Sequence, residues 1–182
     1  MELIYKEVLG FKFVKVGEFY LTDKPYPVTF DGKQDSIKVC IKLVDELFLN
    51  SDESAYLVYV EDEIFYVGEF SYSLKDRWLR RENYVWHGID DYVEAMLSPP
   101  NEKKVSLWLT VDPYIIHGST RLNISKSIEQ EILRQTQPMP VWNKRGQLNK
   151  WVDWREKYCV SVSNIISKIS GKYHPLMPDG HD

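Results

Sequence analysis

The sequence predicts an α+β protein in which helices flank a small three-stranded antiparallel sheet. Between residues 55 and 68, two runs rich in β-branched and aromatic residues are separated by a short acidic turn, which is typical of a β-hairpin. Apolar residues at helical spacing or clear capping signals follow in residues 73–82, 90–97 and 125–137. The resulting order β-β-α-α-β-α describes a compact core with additions at both ends.

Strands and a helix are expected before this core. Residues 7–31 are rich in aromatic and β-branched residues and are interrupted by glycines and prolines, which predicts two or three short strands. Residues 35–49 place Ile37, Ile41 and Val44 at helical spacing. We therefore expect an N-terminal β/α addition that ends in an amphipathic helix.

The core itself begins with the hairpin. Residues 55–60 and 64–68 form its strands, and the helix at 73–82 begins at Ser73, a favoured N-cap residue. Asp76 lies three residues later, where a capping box places an acidic side chain.

Three further elements complete the expected fold. A short helix at 90–97 ends before two prolines, a third strand occupies 105–111, and a helix at 125–137 stops at Pro138. Residues 148–169 carry an apolar face at helical spacing, which predicts a long C-terminal helix.

We divide the chain accordingly into four segments. Residues 1–53 form an N-terminal block for DNA recognition or dimerisation, and residues 54–145 form the catalytic core. Residues 146–170 are the C-terminal helix, and residues 171–182 are a loose tail.

Composition restricts the class of protein. The 182 residues carry a formal net charge of −4, which argues against a protein that coats nucleic acid without specificity but allows a local basic cleft. Cys40 and Cys159 are too few for a disulfide framework and are expected to be buried thiols. Because neither a signal peptide nor a membrane-spanning apolar run is found, we expect a cytoplasmic protein without membrane contact.

Four short motifs occur in a defined order along the chain. They are Ser54-Ala55-Tyr56, Tyr66-Val67-Gly68, Lys75-Asp76-Arg77-Trp78 and a helix containing Ile128-Glu129, followed by Pro138 and Trp142-Asn143. Over residues 54–145 this order resembles the GIY-YIG nuclease family. The resemblance implies an endonuclease whose catalytic residues are Tyr56, Tyr66, Arg77 and Glu129, with Glu129 as the metal ligand.

Elementary chemistry is compatible with this assignment. Arg77 can clamp a phosphate with two parallel hydrogen bonds, and Mg²⁺ needs only one or two carboxylates, so Glu129 is sufficient as its protein ligand. We expect Mg²⁺ as cofactor, with Mn²⁺ as a substitute. A tyrosine has a pKa of about 10 in water and acts as a base only where nearby cations favour the phenolate.

The sequence departs from the family pattern at three places. Ser54-Ala55 replaces the usual glycine and isoleucine, and Glu69 follows Gly68 where a carboxylate would repel DNA unless it turns away or helps bind metal. The family often has His or Tyr four residues after the arginine, whereas this chain has Arg81. Either Arg81, Tyr84 or His87 is expected to take that role.

Further residues are candidates for contact with double-stranded DNA. These are Lys75, Arg80, Tyr84, His87, Asn143, Lys144 and Arg145. A single catalytic core of this size resembles a GIY-YIG type II restriction endonuclease, which would act as a homodimer on a palindromic site. The alternatives are a phage, mobile-element or structure-specific repair nuclease, and a catalytically inactive nucleic-acid-binding protein with the same core.

Overall fold

The computed structural model describes residues 2–30, 33–81, 83–136 and 140–143. Strands account for 53% of the described residues and form a large curled antiparallel sheet, so this part of the protein is mostly β. The predicted α+β fold built on a three-stranded sheet is therefore wrong.

Ten strands and three α-helices are present in the described residues. The strands are β1 (Tyr5–Val8), β2 (Phe11–Phe30), β3 (Lys33–Leu43), β4 (Asp52–Val60), β5 (Glu63–Ser73), β6 (Leu79–Arg81), β7 (Tyr84–Val85), β8 (Val105–Thr110), β9 (Tyr114–His117) and β10 (Thr120–Asn123). The helices are α1 (Leu74–Trp78), α2 (Asp90–Leu97) and α3 (Ser125–Gln135), and a 3-10 helix occupies Glu46–Asn50.

Eight strands belong to one sheet with the order β5-β4-β8-β2-β3-β7-β6, and β1 pairs with β2 beside this path. The hairpin and third strand expected from the sequence are its first three members, β5, β4 and β8. Because β2 pairs directly with β8, the N-terminal strands continue the sheet of the core. Strands β9 and β10 form a separate hairpin.

The helix predicted at 35–49 is also wrong. Residues Lys33–Leu43 form β3, in which Ile37, Val39 and Ile41 are buried on one face while Lys38 and Lys42 are exposed on the other. This alternation also places Ile37 and Ile41 four residues apart, which mimics a helix. Pairing with β2 decides in favour of the strand, and β-branched side chains fit that environment well.

Other expectations differ in extent. The short strands expected over 7–31 are mainly one strand, β2, whose register against β3 shifts between Leu21 and Tyr26. The helix expected at 73–82 ends at Trp78, although its N-cap is confirmed because the Ser73 hydroxyl accepts from the Asp76 amide. Helices α2 and α3 form where the sequence predicted them. The C-terminal helix and tail lie outside the described residues.

The two faces of the sheet carry different packing. Tyr56 and Val58 of β4 lie on one face in a cluster with Trp78 and Ile89. Ala55 and Leu57 pack on the other face against α3. Cys40 is buried as expected. No helix in the described part of the chain is long and apolar enough to cross a membrane.

The pairing of Tyr56 with Gly68 leads to a stability prediction. A Cβ atom at residue 68 would lie 2.4 Å from both Cζ and the hydroxyl of Tyr56, a ring that is completely buried and cannot move aside freely. We expect Gly68→Ala to lower the free energy of unfolding by about 1–3 kcal/mol, measured by urea denaturation.

Gly88→Ala is the matched control because a Cβ at residue 88 would meet nothing within 4 Å. We expect it to change the unfolding free energy by less than about 0.5 kcal/mol. Equal stabilities of the two variants would contradict the tight contact between Tyr56 and Gly68.

Candidate active site

Four elements of the fold supply the residues of the candidate site. Tyr56 lies on β4, Tyr66 on the adjacent strand β5, Arg77 on α1 and Glu129 on α3. Each of the four influences the ionisation of at least two others through charge or hydrogen bonding. The structure therefore brings together the four residues that the sequence proposed for catalysis.

Tyr56 is the buried centre of this group. Its side chain has no exposed surface, and its ring packs edge-on against Trp78 at 5.1 Å between centroids. The rings of Tyr66 and Phe70 each lie 6.0 Å from it. Side chains cover both faces of the sheet at this position, so Tyr56 does not line an open surface.

His87 completes the polar environment of Tyr56. Its Nε2 atom lies 2.7 Å from the Tyr56 hydroxyl, and its ring stacks on Trp78 with a centroid distance of 4.2 Å. Burial, together with the positive charge of Arg77, lowers the pKa of His87 from 6.5 to about 3. The imidazole is consequently neutral throughout the physiological pH range.

The second nitrogen of His87 indicates which tautomer is present. Nδ1 is buried and has no hydrogen-bond partner. A buried donor without a partner is rarer in proteins than a buried acceptor without one, so the proton is best placed on Nε2. In this tautomer His87 donates to the Tyr56 oxygen and leaves the hydroxyl hydrogen of Tyr56 free for another acceptor.

Arg77 is the exposed member of the four catalytic candidates. Burial opposes its charge, but the nearby hydroxyls of Tyr56 and Tyr66 and the carboxylate of Glu69 outweigh this effect and raise the pKa of Arg77. The guanidinium interacts with the Tyr56 hydroxyl by charge and hydrogen bonding. Arg77 therefore stands between Tyr56 and solvent.

Both tyrosines are neutral phenols in the resting protein. Burial and the proximity of Tyr66 raise the pKa of Tyr56 well above its usual value, and Arg77 offsets part of this rise. Burial also raises the pKa of Tyr66, while Tyr56 and Arg77 act in the opposite direction. The donors Arg77 and His87 thus favour a phenolate at Tyr56 against the effect of burial.

Glu129 carries a carboxyl group that burial keeps protonated at neutral pH unless a cation binds beside it. Only 7% of the residue is exposed, and its Oε2 atom is buried without a hydrogen-bond partner. Burial and the neighbouring Glu69 carboxylate raise the pKa of Glu129 to about 8, against the opposing charges of Lys126 and Arg77. Such a group is stabilised by a cation placed beside it.

The residues present fit a divalent cation that keeps most of its water. Glu129 offers an oxygen atom without a partner, and Glu69 is a second carboxylate near it. Within the described ranges, no group of three or more His, Cys, Asp or Glu residues is placed to hold a metal ion. This donor set agrees with Mg²⁺, which commonly binds one or two protein carboxylates, and not with a closed structural metal centre.

Asn143 has a structural position at the sheet edge. Its Oδ1 accepts from the Val67 amide at 3.0 Å, and its Nδ2 donates to the Val67 carbonyl at 2.8 Å. These two bonds satisfy the outer edge of β5 between Tyr66 and Gly68. Asn143 therefore helps to fix the strand and is itself buried away from any DNA surface.

The other predicted residues lie in different environments. Tyr84 donates from its hydroxyl to the Lys24 carbonyl and packs on Tyr26, so it does not join the site. Of the two candidates whose side chains the structure describes, Tyr84 and His87, it is His87 that contacts Tyr56.

Lys75 is exposed on α1 beside Arg77. Arg80 and Arg81 belong to β6, but their side chains lie outside the described part of the structure. Lys144 and Arg145 lie outside it entirely.

Two residues of the site had no functional role in the sequence analysis. Trp78 supports both Tyr56 and His87, and its position directly after Arg77 was the available signal. Lys126 lowers the pKa of Glu129 from one helical turn before it. Spacing on α3 could have indicated this i, i+3 pair.

Comparisons with known proteins identify no relative of this chain. No protein-family model, curated protein or solved structure matches the chain. Its function must therefore be inferred from the site.

The depressed pKa of His87 predicts a dependence of stability on acid. The unfolded state binds a proton near pH 6.5, whereas the folded state does so only near pH 3, so the contribution of His87 to folding stability falls as pH decreases between these values. The raised pKa of Glu129 acts in the opposite direction. Between pH 7.5 and 5 the loss due to His87 is about 2 kcal/mol. We expect His87→Gln to remove this part of the pH dependence in urea denaturation.

His117→Gln provides the control, because His117 is exposed on β9. This variant is expected to keep the pH dependence of the wild type. If His87→Gln also keeps it, the buried neutral imidazole described above is incorrect.

Proposed function

We propose that the chain is a metal-dependent endonuclease that hydrolyses phosphodiester bonds in DNA. The observation that carries the proposal is the convergence of two phenols, a guanidinium and a buried carboxyl group from four separate elements. Buried carboxylates are normally paired, so Glu129 without a partner on Oε2 needs a reason, which a bound cation supplies.

Arg77 is the residue suited to receive the phosphate. It is exposed, and its fork of donors matches two oxygens of a phosphate, where negative charge increases during hydrolysis. When the guanidinium turns from Tyr56 toward a phosphate, it uncovers the Tyr56 hydroxyl beneath it. Substrate binding would in this way open a site that is closed at rest.

Tyr56 is suited to position the attacking water. Its oxygen accepts from His87 Nε2, which orients it and, together with Arg77, favours the phenolate; the phenolate takes the proton that the water loses and becomes the phenol. Tyr66 is more accessible than Tyr56 and lies beside it, so it can donate to another oxygen of the same phosphate. A divalent cation at Glu129 would act as a Lewis acid on the leaving oxygen.

We assign Glu69 to the proposed cation site. The charge of Glu69 raises the pKa of both Glu129 and Arg77, so Glu69 is close enough to interact with both side chains. A bound divalent cation would neutralise the repulsion between the two glutamates and leave Arg77 available for phosphate.

Sequence specificity and assembly are separate parts of the proposal. A type II restriction endonuclease would give discrete fragments from plasmid DNA and a dimeric mass on its site, whereas a structure-specific nuclease would cut only at irregular DNA. A mapped fragment pattern and the mass of the complex in solution distinguish them.

The direct test is cleavage of supercoiled plasmid with Mg²⁺ or Mn²⁺. We expect Arg77→Ala and Glu129→Gln each to reduce the rate by about 100-fold or more, because each removes charge stabilisation from the transition state. Arg77→Lys should recover only part of the rate, because an ammonium group lacks the planar fork. EDTA should abolish cleavage by the wild type.

Matched variants control for changes of charge away from the site. Arg121→Ala removes an arginine that lies over the ring of Tyr114, and Glu63→Gln removes an exposed carboxylate at the start of β5. Both should cleave at the wild-type rate. Cleavage that is unaffected by Arg77→Ala and Glu129→Gln would refute the proposed site, and a folded wild type without cleavage in either metal would refute the activity.

A further inference from the structure

The edge strand beside the candidate site contains a β-bulge. In the pairing of β4 with β5, Asp52 lies opposite Ser73 and Ser54 lies opposite Phe70. Glu53 alone therefore faces two residues of β5, Ser71 and Tyr72. Bulges of this kind occur at sheet edges and beside active sites, where they redirect a side chain.

The backbone around the bulge has a second unusual feature. Glu53, the single residue on the opposite strand, has a φ of 42°, which a non-glycine residue rarely adopts. Asn123 and Ser125 both donate side-chain hydrogen bonds to the Glu53 carbonyl and hold this conformation in place. The bulge is thus a fixed part of the fold.

Tyr72 is the side chain that the bulge redirects. Phe70, two residues before it on β5, is 3% exposed, whereas Tyr72 is 77% exposed. In a regular strand these residues would point to the same face and share the same packing. The bulge instead turns a large aromatic ring into solvent.

Tyr72 lies two residues before helix α1, the element that carries Arg77. The Phe70 ring is 6.0 Å from the Tyr56 ring, and Tyr72 follows about 7 Å further along the strand. Helix α1 begins at Leu74 and presents the exposed cations Lys75 and Arg77. Neither cation forms a salt bridge to a carboxylate in the described part of the chain.

An aromatic ring beside two cations is suited to one unpaired nucleotide and its phosphates. Ring stacking requires a base whose face is free, and inside a regular duplex both faces of each base are covered by neighbouring bases. Lys75 and Arg77 supply the charges for the adjoining backbone. A protein that read only the regular duplex would have no use for this ring at this position.

We infer that Tyr72 stacks on an unpaired base of the substrate next to the phosphate bound by Arg77. This inference rests on the proposed nuclease function and deepens it, because it assigns the substrate class. The DNA at the site carries a single-stranded, flapped or extruded nucleotide. Lys75 binds a phosphate beside that nucleotide.

The test is stacking on 2-aminopurine, a fluorescent base whose emission decreases on contact with an aromatic ring. The wild type is titrated, in EDTA to prevent cleavage, with single-stranded oligonucleotides that carry 2-aminopurine at successive positions. The same oligonucleotides in full duplex form are titrated in parallel. We expect quenching with single strands at one or two positions and none with the duplex.

Variants assign the signal to Tyr72. Tyr72→Ala should abolish the quenching and weaken binding of the single strand by about 5- to 100-fold, and Tyr72→Trp should restore both. Tyr20→Ala is the control, since Tyr20 is exposed on β2, separated from β5 by β4 and β8. It should behave as the wild type.

The outcomes separate the inference from the proposed function. If the wild type binds and cleaves DNA but Tyr72→Ala quenches as before, or if the duplex quenches equally, the stacking role of Tyr72 is refuted and the nuclease proposal stands. If the folded wild type neither binds nor cleaves any of these oligonucleotides, both are refuted. Loss of quenching with Tyr72→Ala and recovery with Tyr72→Trp supports both.

Discussion

The candidate site depends on the position of one buried tyrosine. The Tyr56 ring lies against Gly68 of the neighbouring strand, and its hydroxyl meets His87 at 2.7 Å. Trp78, the residue after Arg77, packs against both the tyrosine and the histidine. Since these contacts fix β4, β5 and α1 relative to one another, they also fix where Arg77 emerges at the surface.

Burial around Tyr56 favours the neutral forms of Tyr56, Tyr66, His87 and Glu129. Removing phenols and carboxylates from water raises the pKa of Tyr56, Tyr66 and Glu129, whereas it lowers that of His87. The resting site consequently holds neutral groups around one exposed guanidinium. A phosphate and a cation are the two charges that such a site lacks, and binding them would reverse the protonation preference of Glu129.

The sheet explains how residues so far apart in the sequence come to be neighbours. β4 lies between β5 and β8, so the hairpin that carries both tyrosines is fixed on one side by a strand from later in the chain. The N-terminal strands extend this sheet and enclose one face, while α3 covers the other and delivers Glu129. The bulge at Tyr72 interrupts the pairing of β4 with β5 at the end of the hairpin next to α1, and a second shift in register lies between Val58 and Tyr59.

The sequence by itself determined the hairpin, the Ser73 cap and the two later helices, because short-range periodicity and capping depend on residues close together in the chain. Its resemblance to GIY-YIG nucleases selected Tyr56, Tyr66, Arg77 and Glu129 as candidates. Tertiary structure alone decided the size of the sheet and the strand at Lys33–Leu43, since Ile37 and Ile41 satisfy both helical and strand spacing until β2 pairs with them. It also decided that His87 contacts Tyr56 whereas Tyr84 binds the Lys24 carbonyl, because these contacts depend on how β7 and the following turn return across the sheet.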